Sequence, residues 1–122
     1  MDDMRISEMM ARQRALHARH AHDWSPVEPA WGKDSLLWLV EELGETIAII
    51  KKKGPSAVME DESVRAHFCE EMSDVLMYWT DALLCFGVTP EEITAAFEAK
   101  SDRNLTRDFA ADDAKLYTRK PE

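Results

Sequence analysis

An all-α fold is predicted by three features of this 122-residue sequence. Ala, Leu, Met, Glu and Lys, all good helix formers, are plentiful along it. Its four glycines and five prolines fall mainly in short breaks between longer segments. No stretch alternates apolar with polar residues cleanly enough to be a strand.

Each element has its own start and stop. Residues 4–22 read as a first helix of moderate amphipathicity, ended by Trp24-Ser25-Pro26-Val27-Glu28-Pro29, whose prolines forbid regular continuation. The loop extends to about Gly32, and Asp34 or Ser35 is placed to cap a second helix. That helix stops at Lys51-Lys52-Lys53-Gly54-Pro55, where cations suit the negative end of the helix dipole and Gly-Pro ends the run. A third helix starts near Asp61 and runs to Phe86-Gly87. Thr89-Pro90-Glu91-Glu92 opens a fourth, with Thr as N-cap, Pro at the first helical position and Glu92 placed to complete a capping box. The fourth helix ends around Ser101 to Asn104. Residues 110–122, mixed and charged, read as a C-terminal tail or an arm over a neighbour, which leaves 1–109 as one domain.

Composition narrows the class of protein. At 45% hydrophobic the chain has enough apolar material for one core, yet it is short enough for oligomerisation to help. Twenty-four acids against 15 bases leave a net charge of −9, which argues against a nucleic-acid backbone or an anionic membrane as resting partner. The start lacks a basic stretch followed by an apolar block, and no apolar run approaches the ~18 residues that span a bilayer. A soluble, cytoplasmic protein is expected. Cys69 and Cys85 match no zinc-ligand spacing and are expected to be reduced, structural residues.

The most informative motif is written twice. Glu41-Glu42-Leu43-Gly44-Glu45-Thr46-Ile47 is echoed by Glu70-Glu71-Met72-Ser73-Asp74-Val75-Leu76. Carboxylates three apart share a helix face, so Glu42 with Glu45, and Glu71 with Asp74, each present a pair of oxygen donors to one point. In the second helix Leu36, Val40, Leu43, Ile47 and Ile50 have the spacing of a core-facing stripe, and Trp38, Glu42, Glu45 and Ile49 form a neighbouring column. In the third, Met72, Val75, Leu76, Trp79, Leu83 and Phe86 make the stripe, and His67, Glu71, Asp74 and Tyr78 the column. Antiparallel packing brings both columns to one groove, where the acids repel one another unless a cation is present.

Solvated surface is the ordinary account of acids in a chain that is 32% charged. Two pairs of matching phase, bracketed by Trp38, Ile49 and Tyr78 with few lysines at helical spacing, favour a metal site instead. An all-carboxylate set suits Mg²⁺ or Mn²⁺. A di-iron carboxylate bundle normally carries Glu-x-x-His on two helices, and no histidine here has a Glu three residues before it. His17, His20 and His22 lie among Arg12, Arg14 and Arg19 without a fourth ligand nearby, and are expected at the surface.

Glu42-Leu43-Gly44-Glu45, then Glu71-Met72-Ser73-Asp74, then Lys100-Ser101-Asp102-Arg103-Asn104-Leu105-Thr106-Arg107 resembles the MazG-like family of all-α nucleoside triphosphate pyrophosphohydrolases across residues 33–107. The resemblance implies a four-helix bundle, oligomeric as a dimer or a dimer of dimers, with its site near the assembly interface. It also implies Mg²⁺-dependent cleavage of a nucleoside or deoxynucleoside triphosphate between its α- and β-phosphates, with Mn²⁺ as a possible substitute. By matched position Glu42, Glu45, Glu71 and Asp74 resemble the metal ligands. Tyr78, four residues after Asp74, resembles a tyrosine of the dCTP pyrophosphatase branch. Where the family often has His-x-Pro-Lys/Arg-Asn, this chain reads Ala30-Trp31-Gly32-Lys33-Asp34, with Lys33 at the basic position.

Roles for the remaining residues follow from phosphoanhydride chemistry. Glu41 or Glu70 is a candidate to orient or deprotonate the attacking water. The resemblance implies that Lys100 and Arg107 contact phosphate oxygens and Asn104 sugar, phosphate or base. Trp38 and Tyr78 have the best case for stacking on a base because they share the acid columns. One of Lys51, Lys52 and Lys53 can reach phosphate, the others closing a helix. The alternative from another class is a non-catalytic helical module that binds a nucleotide or a protein through a metal-stabilised acidic groove.

Overall fold

The chain breaks where its glycines and prolines stand. A computed structural model describes residues 2–112, and among these every regular element is helical. Helix α1 spans Ile6–Arg19, a 3-10 turn Pro29–Trp31, α2 Gly32–Lys53, α3 Pro55–Glu60, α4 Glu62–Cys85 and α5 Pro90–Thr106. None of these helices is long and apolar enough to cross a membrane. The chain divides into two compact units, the first ending at Pro90 and the second beginning at Glu91. The expected tail falls mostly outside the described residues. Of it only 110–112 are seen, in a helical turn where Ala111 N donates to Asp108 Oδ1 at 3.0 Å.

Several boundaries differ from the sequence reading: α1 stops at Arg19, α5 runs on to Thr106, α2 lacks its expected cap and an extra helix precedes α4. Neither Asp34 nor Ser35 caps α2: the turn Pro29–Trp31 feeds straight into it, with Trp31 at the N-cap. The Ser35 hydroxyl instead donates back to the Trp31 carbonyl at 3.3 Å. The Lys-Gly-Pro stop does end α2, with Gly54 at φ 86°, a left-handed value that favours glycine. Pro55 then begins the extra helix α3, because a proline is compatible with a first helical turn, whose N–H is unpaired in any case. Asp61 caps α4 as its position suggested, accepting from Ser63 N at 3.0 Å and Val64 N at 3.3 Å. The Ser63 hydroxyl, donating to the same oxygen at 2.8 Å, and then these backbone bonds hold its carboxyl below the usual range.

The first unit is built on α2 packed antiparallel to α4, with α1 laid against α4. Trp38 meets Tyr78 at one end of the seam, with ring centroids 6.0 Å apart, while Lys52 and Lys53 share a cavity with Ser63 and Val64 at the other. The buried apolar residues are Met10, Ile49, Ala82, Leu84 and Cys85. Cys85 is thus a core residue, whereas Cys69 is exposed; both thiols are free.

The main correction concerns which face of each helix turns inward. Ser35, Thr46 and Ile49 are buried and Trp38 and Glu42 half-buried, so α2 meets α4 along the acid column. Leu36, Val40, Leu43, Ile47 and Ile50, expected in the core, are all exposed, Val40 by 60%. Met72, Leu76 and Phe86 of the α4 stripe are exposed too, whereas its Val75, Trp79 and Leu83 are half-buried, so on α4 the reversal is partial. Periodicity identifies an apolar face but not what covers it.

Candidate metal centre and its two cavities

Near the middle of the α2–α4 seam, Glu42, Glu45 and Glu71 each bring a carboxylate oxygen within 4.8 Å of the others. Helical spacing explains the convergence: Glu42 and Glu45 project from adjacent turns of one face, and antiparallel packing sets Glu71 opposite. Thr46, buried beside them, spends its hydroxyl on the Glu42 carbonyl at 2.9 Å and offers the acids no donor. Glu42 Oε2 and Glu71 Oε2 are buried, and no donor among the described residues reaches either.

The energetic consequence falls on Glu42. A proton shared with Glu71, then burial, then the charges of Glu45, Asp74 and Glu71 push its carboxyl up to about 7. Asp74, one helical turn beyond Glu71, is raised chiefly by burial and further by Glu71 and Glu70. Tyr78 is raised by burial and by Glu42 and Asp74. His67 Nε2 stands 3.3 Å from Glu71 Oε1 and is the nearest positive candidate, but its side chain is 58% exposed. Two buried carboxylate oxygens without a donor, one of them on the proton-retaining Glu42, fit a divalent cation of the Mg²⁺ or Mn²⁺ type, whose binding would displace that proton.

A cavity flanks the acids on each side. One, of about 440 Å³, lies between α1, α2 and α4 and has Trp24, Trp31, Trp38 and Tyr78 in its walls, with Asp74 at its edge. The other, of about 400 Å³, is lined by Lys52, Lys53, Ser63 and His67, and takes in Glu45 and Glu71 from the trio. The acids therefore stand between an aromatic chamber and a basic one.

The other expected site residues are dispersed. Glu41 and Glu70 are exposed and outside the trio, yet Glu70 adds to the shift of Asp74 and Glu41 to that of Tyr78. Lys33 is exposed in the first turn of α2. Lys100 and Asn104 belong to the second unit, where they line a shallow cavity of about 290 Å³ with Phe97, Ser101 and Leu105. Arg107, just past α5, lies over the Phe109 ring and pairs with Asp112.

The sequence reading missed Gln13, His17 and Asp81 in the aromatic cavity. Of the three histidines expected at the surface only His22 is exposed; His17 lies beside Asp81, and His20 stacks on Trp24 with centroids 4.5 Å apart. The available signal was Asp81 itself, a charge inside the apolar run from Trp79 to Cys85. No family model, no curated protein and no solved structure matches the chain.

Proposed function

We propose that this protein hydrolyses a nucleoside or deoxynucleoside triphosphate between the α- and β-phosphates, using Mg²⁺, to a monophosphate and pyrophosphate. The observation that carries the reading is the placement of the Glu42–Glu45–Glu71 trio between an aromatic cavity and a basic one. A base in the first and phosphates toward Lys52 and Lys53 in the second put the scissile anhydride near the acids. Resemblance to the MazG-like family agrees, with Glu42, Glu45, Glu71 and Asp74 as the residues that would hold the metal.

Bound Mg²⁺ would supply charge neutralisation for the phosphate oxygens and lower the pKa of a coordinated water. The chain's own residues do the rest. Trp38 and Tyr78 hold the base, while Lys52 and Lys53 draw the β- and γ-phosphates away from the aromatic side. Glu41 or Glu70 orients water and takes its proton as oxygen adds to the α-phosphorus and the bond to the α,β-bridging oxygen breaks. Pyrophosphate leaves with that oxygen.

Self-association belongs to the same proposal, the occupant of the exposed stripe being a second copy of this chain. Leu36, Val40, Leu43, Ile47 and Ile50 on α2, with Met72, Leu76 and Met77 on α4, leave eight large apolar side chains exposed. At roughly 60 Å² each they amount to about 480 Å², within the size of patch that often marks an interaction site and more than half of the ~800 Å² that each partner buries in a stable complex.

A direct test incubates the purified protein with a nucleotide panel and Mg²⁺ and follows monophosphate and pyrophosphate. Equimolar release of both is expected. Release of orthophosphate alone, or turnover unchanged by Glu42→Gln and Asp74→Asn, would sink the reading. Nucleotide-dependent stabilisation without turnover would instead identify a binding module.

A further inference from the structure

The aromatic cavity has a polar floor that the acid trio does not use. Asp81, on α4, has a side chain only 9% exposed, and α1 supplies its neighbours. Gln13 Nε2 donates to Asp81 Oδ1 at 2.9 Å, and His17 Nε2 stands 3.1 Å from the same oxygen. A carboxylate only accepts, so the Gln13 amide points a hydrogen at Oδ1, whereas His17 Nε2, though close, makes no hydrogen bond there. The second oxygen, Oδ2, takes no hydrogen bond from the described residues. His17 Nδ1 and Nε2 are both buried with no hydrogen-bond partner among the described residues.

These groups are costly to bury if their only task is to join α1 to α4. An apolar pair of similar size would hold two helices as well or better, whereas a carboxylate with one oxygen fixed and one spare has a definite direction. The spare carboxylate oxygen is an acceptor, in a cavity with three tryptophans and a tyrosine in its walls. A planar ring bearing an N–H donor is the complementary ligand.

We propose that Asp81, oriented by Gln13 and flanked by His17, selects a nucleobase that carries an exocyclic amino group over its oxo counterpart. The proposal rests on the nucleotide reading above and deepens it: cytosine and adenine are favoured, and uracil and hypoxanthine are disfavoured. An amino group meets the spare Asp81 oxygen, whereas a carbonyl in its place sets two acceptors against each other. A site built to pair a polar group discriminates against the mismatched analogue far more sharply than shape alone does.

The test titrates the full-length protein with two matched pairs of monophosphates, cytidine against uridine and adenosine against inosine. Members of each pair differ by an amino for an oxo group and the adjoining ring-nitrogen proton. None can undergo pyrophosphate release, so binding is read free of turnover from the fluorescence of Trp24, Trp31 and Trp38. The amino member of at least one pair is expected to bind tenfold or more tightly than its partner. In Asp81→Asn the amide oxygen takes the Oδ1 place to accept from Gln13 and turns its NH₂ to the cavity. The preference should then fall at least tenfold or reverse.

Equal binding within both pairs, no binding of any of the four up to millimolar concentration, or an unchanged ratio in Asp81→Asn overturns the proposal. A purely structural Asp81 would weaken all four alike and leave the ratios where they were. Should Asp81→Asn not fold, the wild-type ratios decide alone. Amine-selective binding by a protein that hydrolyses no triphosphate would remove the pyrophosphohydrolase reading and leave this one standing; turnover without base preference would do the reverse.

Discussion

At the scale of single residues, Glu42 ties the site's electrostatics to the stability of the whole chain. Folded, its carboxyl holds a proton to about pH 7; unfolded, it releases it near 4.5. Between those values the native state binds more protons, so the free energy of unfolding falls as pH rises. The raised Asp74 acts in the same direction. Thermal melts in chelator should therefore drop progressively from pH 4.5 to 7, and Glu42→Gln should flatten that slope. An equal slope in the variant would mean that the carboxyl cluster is not its cause. Asp61 works in the opposite sense: its lowered carboxyl stabilises the fold above about 3.8, and that contribution is lost as pH falls further. Mg²⁺ competes with the Glu42 proton, so its stabilising effect should grow toward pH 8, where a concentration 100 times Kd contributes about 2.7 kcal/mol. Glu42→Gln should remove most of that gain and lower turnover by about 100-fold or more.

At the scale of elements, what could be read and what could not separate by physical cause. The Asp61 cap, the lysine-rich end of α2 and the Pro90 start of α5 were legible because each depends on a few adjacent residues. Helix α3 was not, since Gly54-Pro55 ends one helix and begins the next with the same two residues. The cap of α2 was misplaced because Pro29–Trp31 forms a turn continuous with it, which no local pattern of Asp34 or Ser35 reveals. Among the site residues, Glu42, Glu45 and Glu71 were found from spacing within helices, whereas Gln13 and Asp81 are 68 positions apart and meet only through tertiary packing. Helix α1 is anchored at that same place. Met10 is completely buried, and truncating it to Ala should cost about 2–5 kcal/mol in denaturant melts. A smaller loss would mean that α1 is held mainly by the Gln13–Asp81 bond and not by its apolar contact.

At the scale of the whole molecule, the inversion of the two faces has the largest consequence. The sequence shows two stripes on each long helix, one apolar and one acidic, and ordinary burial energetics assign the apolar one to the core. Within one chain the opposite holds, because α2 and α4 close on Trp38, Thr46, Ile49 and Tyr78 and bring the acids between them. An arrangement that turns Leu36, Val40, Leu43 and Ile47 to solvent and repelling carboxylates inward is poor for a monomer alone. On the proposed reading two additions would remedy it: a cation among the acids and a second copy against the stripe. Both lie on the same helix pair, so they should act on each other, with a partner stiffening α2 and α4 and thereby fixing the distance across the acid trio. In sedimentation the wild-type chain should run as a multiple of 14.0 kDa at micromolar concentration. Val40→Glu with Ile47→Glu places charges in the stripe and should return it to a single chain, with Mg²⁺ affinity falling in step although neither residue approaches the acids. A wild-type chain that sediments as a monomer at every concentration would overturn the assignment of that face to a second copy. A monomeric double variant with undiminished Mg²⁺ affinity would instead uncouple the metal site from assembly, leaving α2 and α4 to hold the acids unaided.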